Sequence, residues 1–264
     1  MLEIEKLPSS LGAVLFVHAY DKLLSCREKG DTPQKALKCM GLLNAIAWRE
    51  ARGETVTFAL LADIMSTTKP GVWRLLEYLK RLNLVSIDEQ DIGITKTHVI
   101  HAPQPITGYL QNVLREYGPP DENGRFRDTS ADVALMINDA GLRIIHGRRS
   151  SETPTFALQT IGLFLVIVGL NAGLDVVNRC ALAKRIGMTE NAFRPKLDYL
   201  AHLGLITVSE AQVENNIARE FRMEADEKLV TAVRQLIDRK NRELKFLECC
   251  SDNEQFIHQQ VGSR

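Results

Sequence analysis

A chain of 264 residues, 45% apolar and 25% charged, carries enough hydrophobic side chains for an ordinary folded core, which excludes a wholly disordered chain. Its 33 basic and 33 acidic residues cancel. That excludes a polycation, so an anionic partner has to be met by local patches.

Cys26, Cys39, Cys180, Cys249 and Cys250 have no metal-binding or disulfide-framework spacing and read as reduced, intracellular thiols. Near the N-terminus stand Glu3 and Glu5, not the basic stretch of a secretory signal.

The first predicted helix spans 9–28. Ser9 or Ser10 caps it, and Leu11, Val14, Leu15, Ala19, Leu23 and Leu24 recur at helical spacing. Gly30 ends it, and Asp31-Thr32-Pro33 opens a second helix running to about Arg52. Thr57 caps a short helix over 58–65, and Ser66-Thr67 makes a turn. Thr68 caps the next helix, with Pro70 in its first turn. Its apolar side is Val72, Leu75, Leu76, Leu79 and Leu82. Two strands follow, 85–87 and 92–100, with 88–91 as the turn between them. Pro103 and Pro105 break the pattern before a helix over 106–117.

Residues 118–129, rich in Gly, Pro and charge, read as a linker between domains at 1–117 and 130–247. In the second domain, helices are expected at 130–148 and 157–172, with Asn178 as the cap of the third. Strands at 205–208 and 219–223 flank a longer turn, 209–218, and a helix from 225 to 247 closes the domain. Residues 248–264 read as a polar, frayed tail. The apolar run 161–172 is too short to span a bilayer and reads as a buried core helix.

The two domains repeat one pattern. Residues 61–85 and 182–206 align at an offset of 121 without a gap, with Leu61/Leu182, Thr68/Thr189, Leu76/Leu197, Tyr78/Tyr199, Leu82/Leu203 and Leu84/Leu205 coinciding. Each unit reads as helix, helix, helix-turn-helix, two-stranded wing, helix. The expected fold class is therefore mainly α with small β wings (α+β): two tandem winged helix-turn-helix domains, an internal duplication forming a pseudo-two-fold pair.

The run from Val72 to Val85 resembles the recognition helix and following strand of the MarR family of bacterial regulators, which shows an Arg in the helix and a Leu-x-x-x-Gly-Leu-Val ending. Gly204 keeps that glycine in the second unit, and Asn83 replaces it in the first. Ile94-Thr95-Lys96 is similar to the family's Leu-Thr after the wing, and the helices at 9–28 and 106–117 match its dimerisation helices. There are departures. The family's wing tip is basic, whereas Asp88-Glu89-Gln90-Asp91 is acidic, and a tandem duplication resembles a family dimer fused into one chain. The resemblance implies a cytoplasmic, nucleoid-associated transcriptional regulator that binds double-stranded DNA.

A helix-turn-helix lays its second helix in the major groove, N-terminal residues toward the base edges. The candidate contacts are Thr67, Thr68, Lys69, Trp73, Arg74, Lys80 and Arg81 in the first unit, and Thr189, Asn191, Arg194 and Lys196 in the second. Arg74 suits a guanine edge or a phosphate, and Lys69 and the threonines suit phosphates. Trp73 reads equally as a stacking platform or as packing against the neighbouring helix. Lys69 is matched by Glu190 and Trp73 by Arg194, so the expected target is an imperfect palindrome, its half-sites about one helical turn (~10 bp) apart. Pro195 should kink or shorten the second reader.

No glycine-rich phosphate loop, nucleophile elbow, paired-carboxylate motif or zinc-protease helix is present, so neither an enzyme nor a cofactor is expected. His98-x-x-His101 lacks the companions of a metal site. A small-molecule effector and the pairing of two chains stay open, as do two other functions: a plasmid-type replication initiator and a protein-interaction module.

Overall fold

Two long helices crossing at the centre set the architecture. The computed structural model describes residues 19, 22–27, 30–92, 95–123, 125–150, 152–173, 177–212 and 219–238. Helix α2 (Pro33–Ala51) begins at Thr32, whose hydroxyl accepts the Lys35 amide at 3.2 Å, and Pro33 sits where a missing N–H is harmless. Helix α7 (Pro154–Gly173) is buried without a break from Ala157 to Val168. A helix enclosed on all sides needs no polar face, which explains its composition. Among the described residues it is the one helix long and apolar enough to cross a membrane, yet 78% of that stretch is buried inside the protein.

At the crossing the two backbones nearly touch. A Cβ on Gly41 would lie 2.5 Å from the Leu158 carbonyl oxygen, and one on Gly162 would meet the Leu37 carbonyl closer still. The two contacts are mirror equivalents, since both pairs of partners lie 121 residues apart (37 and 158, 41 and 162).

With α2 the first half contains α1 (described at 22–25), α3 (Phe58–Ile64), α4 (Lys69–Arg81), the hairpin β1 (Ser86–Ile92) and β2 (Thr95–His101), and α5 (Gln104–Tyr117). With α7 the second half contains α6 (Val133–His146), α8 (Arg179–Ile186), α9 (Glu190–His202), the hairpin β3 (Ile206–Gln212) and β4 (Arg219–Ala225), and α10 (described at 227–238). The protein is thus mainly helical with two small antiparallel sheets.

The same bonds recur in both halves. Tyr78 Oη donates to the Leu23 carbonyl at 2.7 Å, and Tyr199 Oη to that of Ile144 at 2.8 Å. Ile100 N donates to Val56 O, as Met223 N does to Val177 O. Thr57 caps α3 and Asn178 caps α8 through their side-chain oxygens. Glu50 holds the exit of the first hairpin, accepting from Ala102 N at 2.8 Å and Thr107 Oγ1 at 3.2 Å. Asn171, its counterpart, accepts from Ala225 N and donates to Met223 O, both at 3.0 Å.

The connection between the halves is largely exposed but is anchored at one point. Phe126 is buried against Trp48, ring centroids 5.7 Å apart. Tyr109 Oη donates to Asp132, the cap residue of α6, and burial and the adjoining carboxylate raise its pKa, keeping the phenol protonated. One apolar cluster runs through both halves, spanning the boundary expected at 118–129.

Several expectations change. The first strands are longer than predicted, leaving only 93–94 between the paired residues Ile92 and Thr95. Asp88, Glu89, Gln90 and Asp91 therefore line β1 and form no tip. The offset grows from 121 (57 to 178) to 123 (99 to 222), so the second hairpin is two residues longer. Helix α5 begins at Gln104, with Pro105 absorbed in its first turn. Helix α9 runs through Pro195 and is 13 residues long, as α4 is. Pro195 is exposed, so the freed Asn191 carbonyl can take water in place of the lost N–H. Most of the helix expected at 9–28, the end of that at 225–247, and the tail 248–264 lie outside the described residues.

Gly41→Ala and Gly162→Ala should each lower stability by about 1–3 kcal/mol or more, because a backbone carbonyl cannot move aside as a side chain can. Gly108 in α5 has nothing within 4 Å of an added Cβ, and Gly108→Ala should instead stabilise by about 0.5–1 kcal/mol. Urea unfolding of the three variants checks both signs.

Candidate nucleic-acid interface

Two short turns present α4 and α9. Ser66 (φ 46°) and Gly187 (φ 75°) bend the chain before each helix, and Asn83 (φ 54°) and Gly204 (φ 65°) end it. Glycine adopts this left-handed backbone freely and asparagine tolerates it, so the sequence difference at 83 and 204 leaves the geometry intact.

Val72, Leu75, Leu76 and Leu79 turn α4 onto the core. Lys69, Trp73, Arg74, Glu77, Lys80 and Arg81 are left exposed. Thr68 occupies the cap position, exposed and without a side-chain cap bond. Thr67 is half-buried, with its hydroxyl against Gly71. Among the described residues, Lys69, Arg74 and Lys80 have no carboxylate partner. Arg81 does: it pairs with Asp31 and lies 4.9 Å over the Tyr78 ring, which Lys35 covers at 5.0 Å. Arg81 is thereby tied to the start of α2. Burial first, then the Asp31 charge, pushes the Tyr78 phenol up to about 12, so it stays a donor.

Trp73 is 42% exposed. It stacks on Phe58 of α3 at 5.3 Å and 23°, and His98 of β2 stands edge-on to both rings. Lys69, Lys96 and Thr97 flank this aromatic cleft.

The face of α9 is different. Glu190, Asn191, Arg194, Pro195 and Asp198 are exposed, and Thr189 holds the cap position without a side-chain bond. Lys196 is not on that face. It is 7% exposed, its ammonium 5.2 Å over the Phe156 ring. Desolvation lowers its pKa, and the charge of Lys38 adds to the effect. The physical reason is register: Lys196 stands where Leu75 stands in the first half, on the core side of the helix. The outer face of α9 thus shows Arg194 against two carboxylates, whereas α4 shows Lys69, Arg74 and Lys80 against Glu77, with Arg81 paired to Asp31. Lys184 and Arg185 of α8 are exposed nearby in sequence.

His98 and His101 are three apart on β2, and alternate side chains of a strand point to opposite faces. His101 Nδ1 meets Glu50 Oε1 at 2.7 Å, and its Nε2 lies 3.7 Å from Asp88 Oδ2. Among the described residues no three His, Cys, Asp or Glu side chains form a group able to hold a metal.

Lys196→Leu installs the residue of the first half and should raise the melting temperature at pH 7. The folded-state pKa of Lys196 is depressed, so its stability cost is full at lower pH. That cost fades as pH rises through the folded value toward about 10.4. Thermal unfolding at pH 7 and near pH 10 should therefore show the advantage of the variant shrinking. No family model matches the chain, and a search of curated proteins finds no match.

Proposed function

We propose that the chain is a sequence-specific double-stranded DNA-binding transcriptional regulator. In this reading it is built from two winged helix-turn-helix units, similar to those of the MarR family, that arose by internal duplication. One observation carries it: helix, turn, helix and hairpin occur twice, and the first of the two outward helices bears Lys69, Trp73, Arg74 and Lys80 on its free face. Supporting the duplication are the bonds of Tyr78 and Tyr199 and the paired turns at 66/187 and 83/204.

The units contribute unequally. Arg74 suits a guanine edge or a phosphate near the start of α4, and Lys69 and Lys80 suit phosphates. On α9 Arg194 and Asn191 remain as exposed candidates, with Thr189 exposed at the cap and Glu190 opposing an anion. We therefore assign the dominant half-site to α4 and a weaker, unlike half-site to α9. Unlike readers in one chain also suit a plasmid-type replication initiator, whose mark would be repeated origin sites. Cytoplasmic action on the nucleoid belongs to the same proposal.

Binding to duplex DNA from the region upstream of the protein's own coding sequence, titrated against salt, tests this. Tight, selective binding with a steep negative salt slope is expected. Arg74→Ala should cost about 1–3 kcal/mol if it reads a base, or remove roughly one unit of slope if it holds a phosphate. Arg194→Ala should cost less. Weak binding that neither change alters would overturn the proposal and direct attention to protein partners.

A further inference from the structure

We propose that the cleft between α4 and β2 takes an unstacked nucleobase from a single-stranded stretch. The inference rests on the reading that α4 faces nucleic acid, and adds the state of the strand it accepts.

Trp73 is the reason. It is 42% exposed, yet its ring is held by Phe58 on one side and by His98 edge-on. An exposed ring already fixed in place loses little conformational freedom when something stacks on it. Lys69 and Lys96 line the same cleft and suit the phosphates on either side of a stacked base. Glu89 reaches Lys96 at 3.6 Å, but both are exposed, and such a pair is weak enough to yield to a phosphate.

The fold does not need this cleft. At the positions of Phe58, Lys69 and Trp73 the second half carries Arg179, Glu190 and Arg194 on the same elements. The stacked pair Phe58 and Trp73 is thus an addition to one half, whereas the strand positions of His98 and Lys96 carry Phe221 and Arg219 in the other. Groove readout of a duplex meets base edges, and a π face becomes available only when a base leaves the stack. An aromatic platform between cations matches the second situation.

The chain has two tryptophans, and Trp48 is buried, so a ligand at the cleft should quench the emission of Trp73. The probe is an oligothymidylate of about twelve nucleotides, compared with thymidine monophosphate, a blunt duplex of the upstream region and polyglutamate. Wild type should bind the oligothymidylate with quenching and far more tightly than the mononucleotide. Trp73→Phe should keep most of that affinity. Trp73→Lys adds a charge and removes the ring: stacking predicts at least about fivefold weaker binding of the oligothymidylate, and simple attraction predicts tighter. Circular dichroism checks that the variants fold, and the wild-type quench decides the matter if one does not.

Absence of quenching overturns the inference, as does tighter binding by Trp73→Lys. Equal quenching by polyglutamate would make the cleft a peptide site and overturn it too, and mononucleotide affinity matching the oligomer would make it a free-nucleotide site. Duplex binding without oligothymidylate binding sinks this inference alone. Failure of both sinks the DNA-binding reading as well.

Discussion

The α2–α7 crossing is the contact on which the rest of the structure depends. Helices with ordinary side chains at their contact sit about 8–10 Å apart. Gly41 and Gly162 remove that spacer at two symmetric points and let each backbone rest on the other at Leu158 and Leu37. Helix α4 packs on α2 and helix α9 on α7, and one apolar cluster runs through both halves. The relation between α4 and α9 follows from the contact of the two long helices.

Within that frame the two halves share geometry and differ in chemistry. Glu50 and Asn171 both anchor the hairpin exit by accepting from a backbone amide, one as a carboxylate and one as an amide. A carboxylate can also take His101, which ties the first hairpin to α2 through a charged group. The amide instead donates to Met223 O and closes the second site without charge. Such pairs show which features the scaffold requires, namely an acceptor at that position, and which it leaves free.

Much of this was legible in the sequence. The offset of 121 pairs the turns, the tyrosines and the caps, and helical periodicity placed the core face of α4. What the sequence hid has physical causes. A glycine inside a helix reads only as a weak point, and the carbonyl it admits belongs to a residue more than a hundred positions away. Arg81 read as a free cation because Asp31, fifty residues earlier, is its partner only once α2 and α4 pack. The acidic stretch 88–91 read as a turn because charge resembles a loop, whereas pairing across the hairpin puts it in a strand. Lys196 differs: the repeat sets it beside Leu75 on the core side, and its charge, which suggests an outward contact, is overridden by that register.

The closeness of Gly41 to Leu158 also bears on mass action. Between two separate subunits a contact of this kind is bimolecular, so dilution dissolves it and assembly tracks the amount of protein made. Here the contact is intramolecular, and each half meets the other at an effective concentration fixed by the chain itself. Falling expression therefore lowers the number of molecules without loosening any one of them.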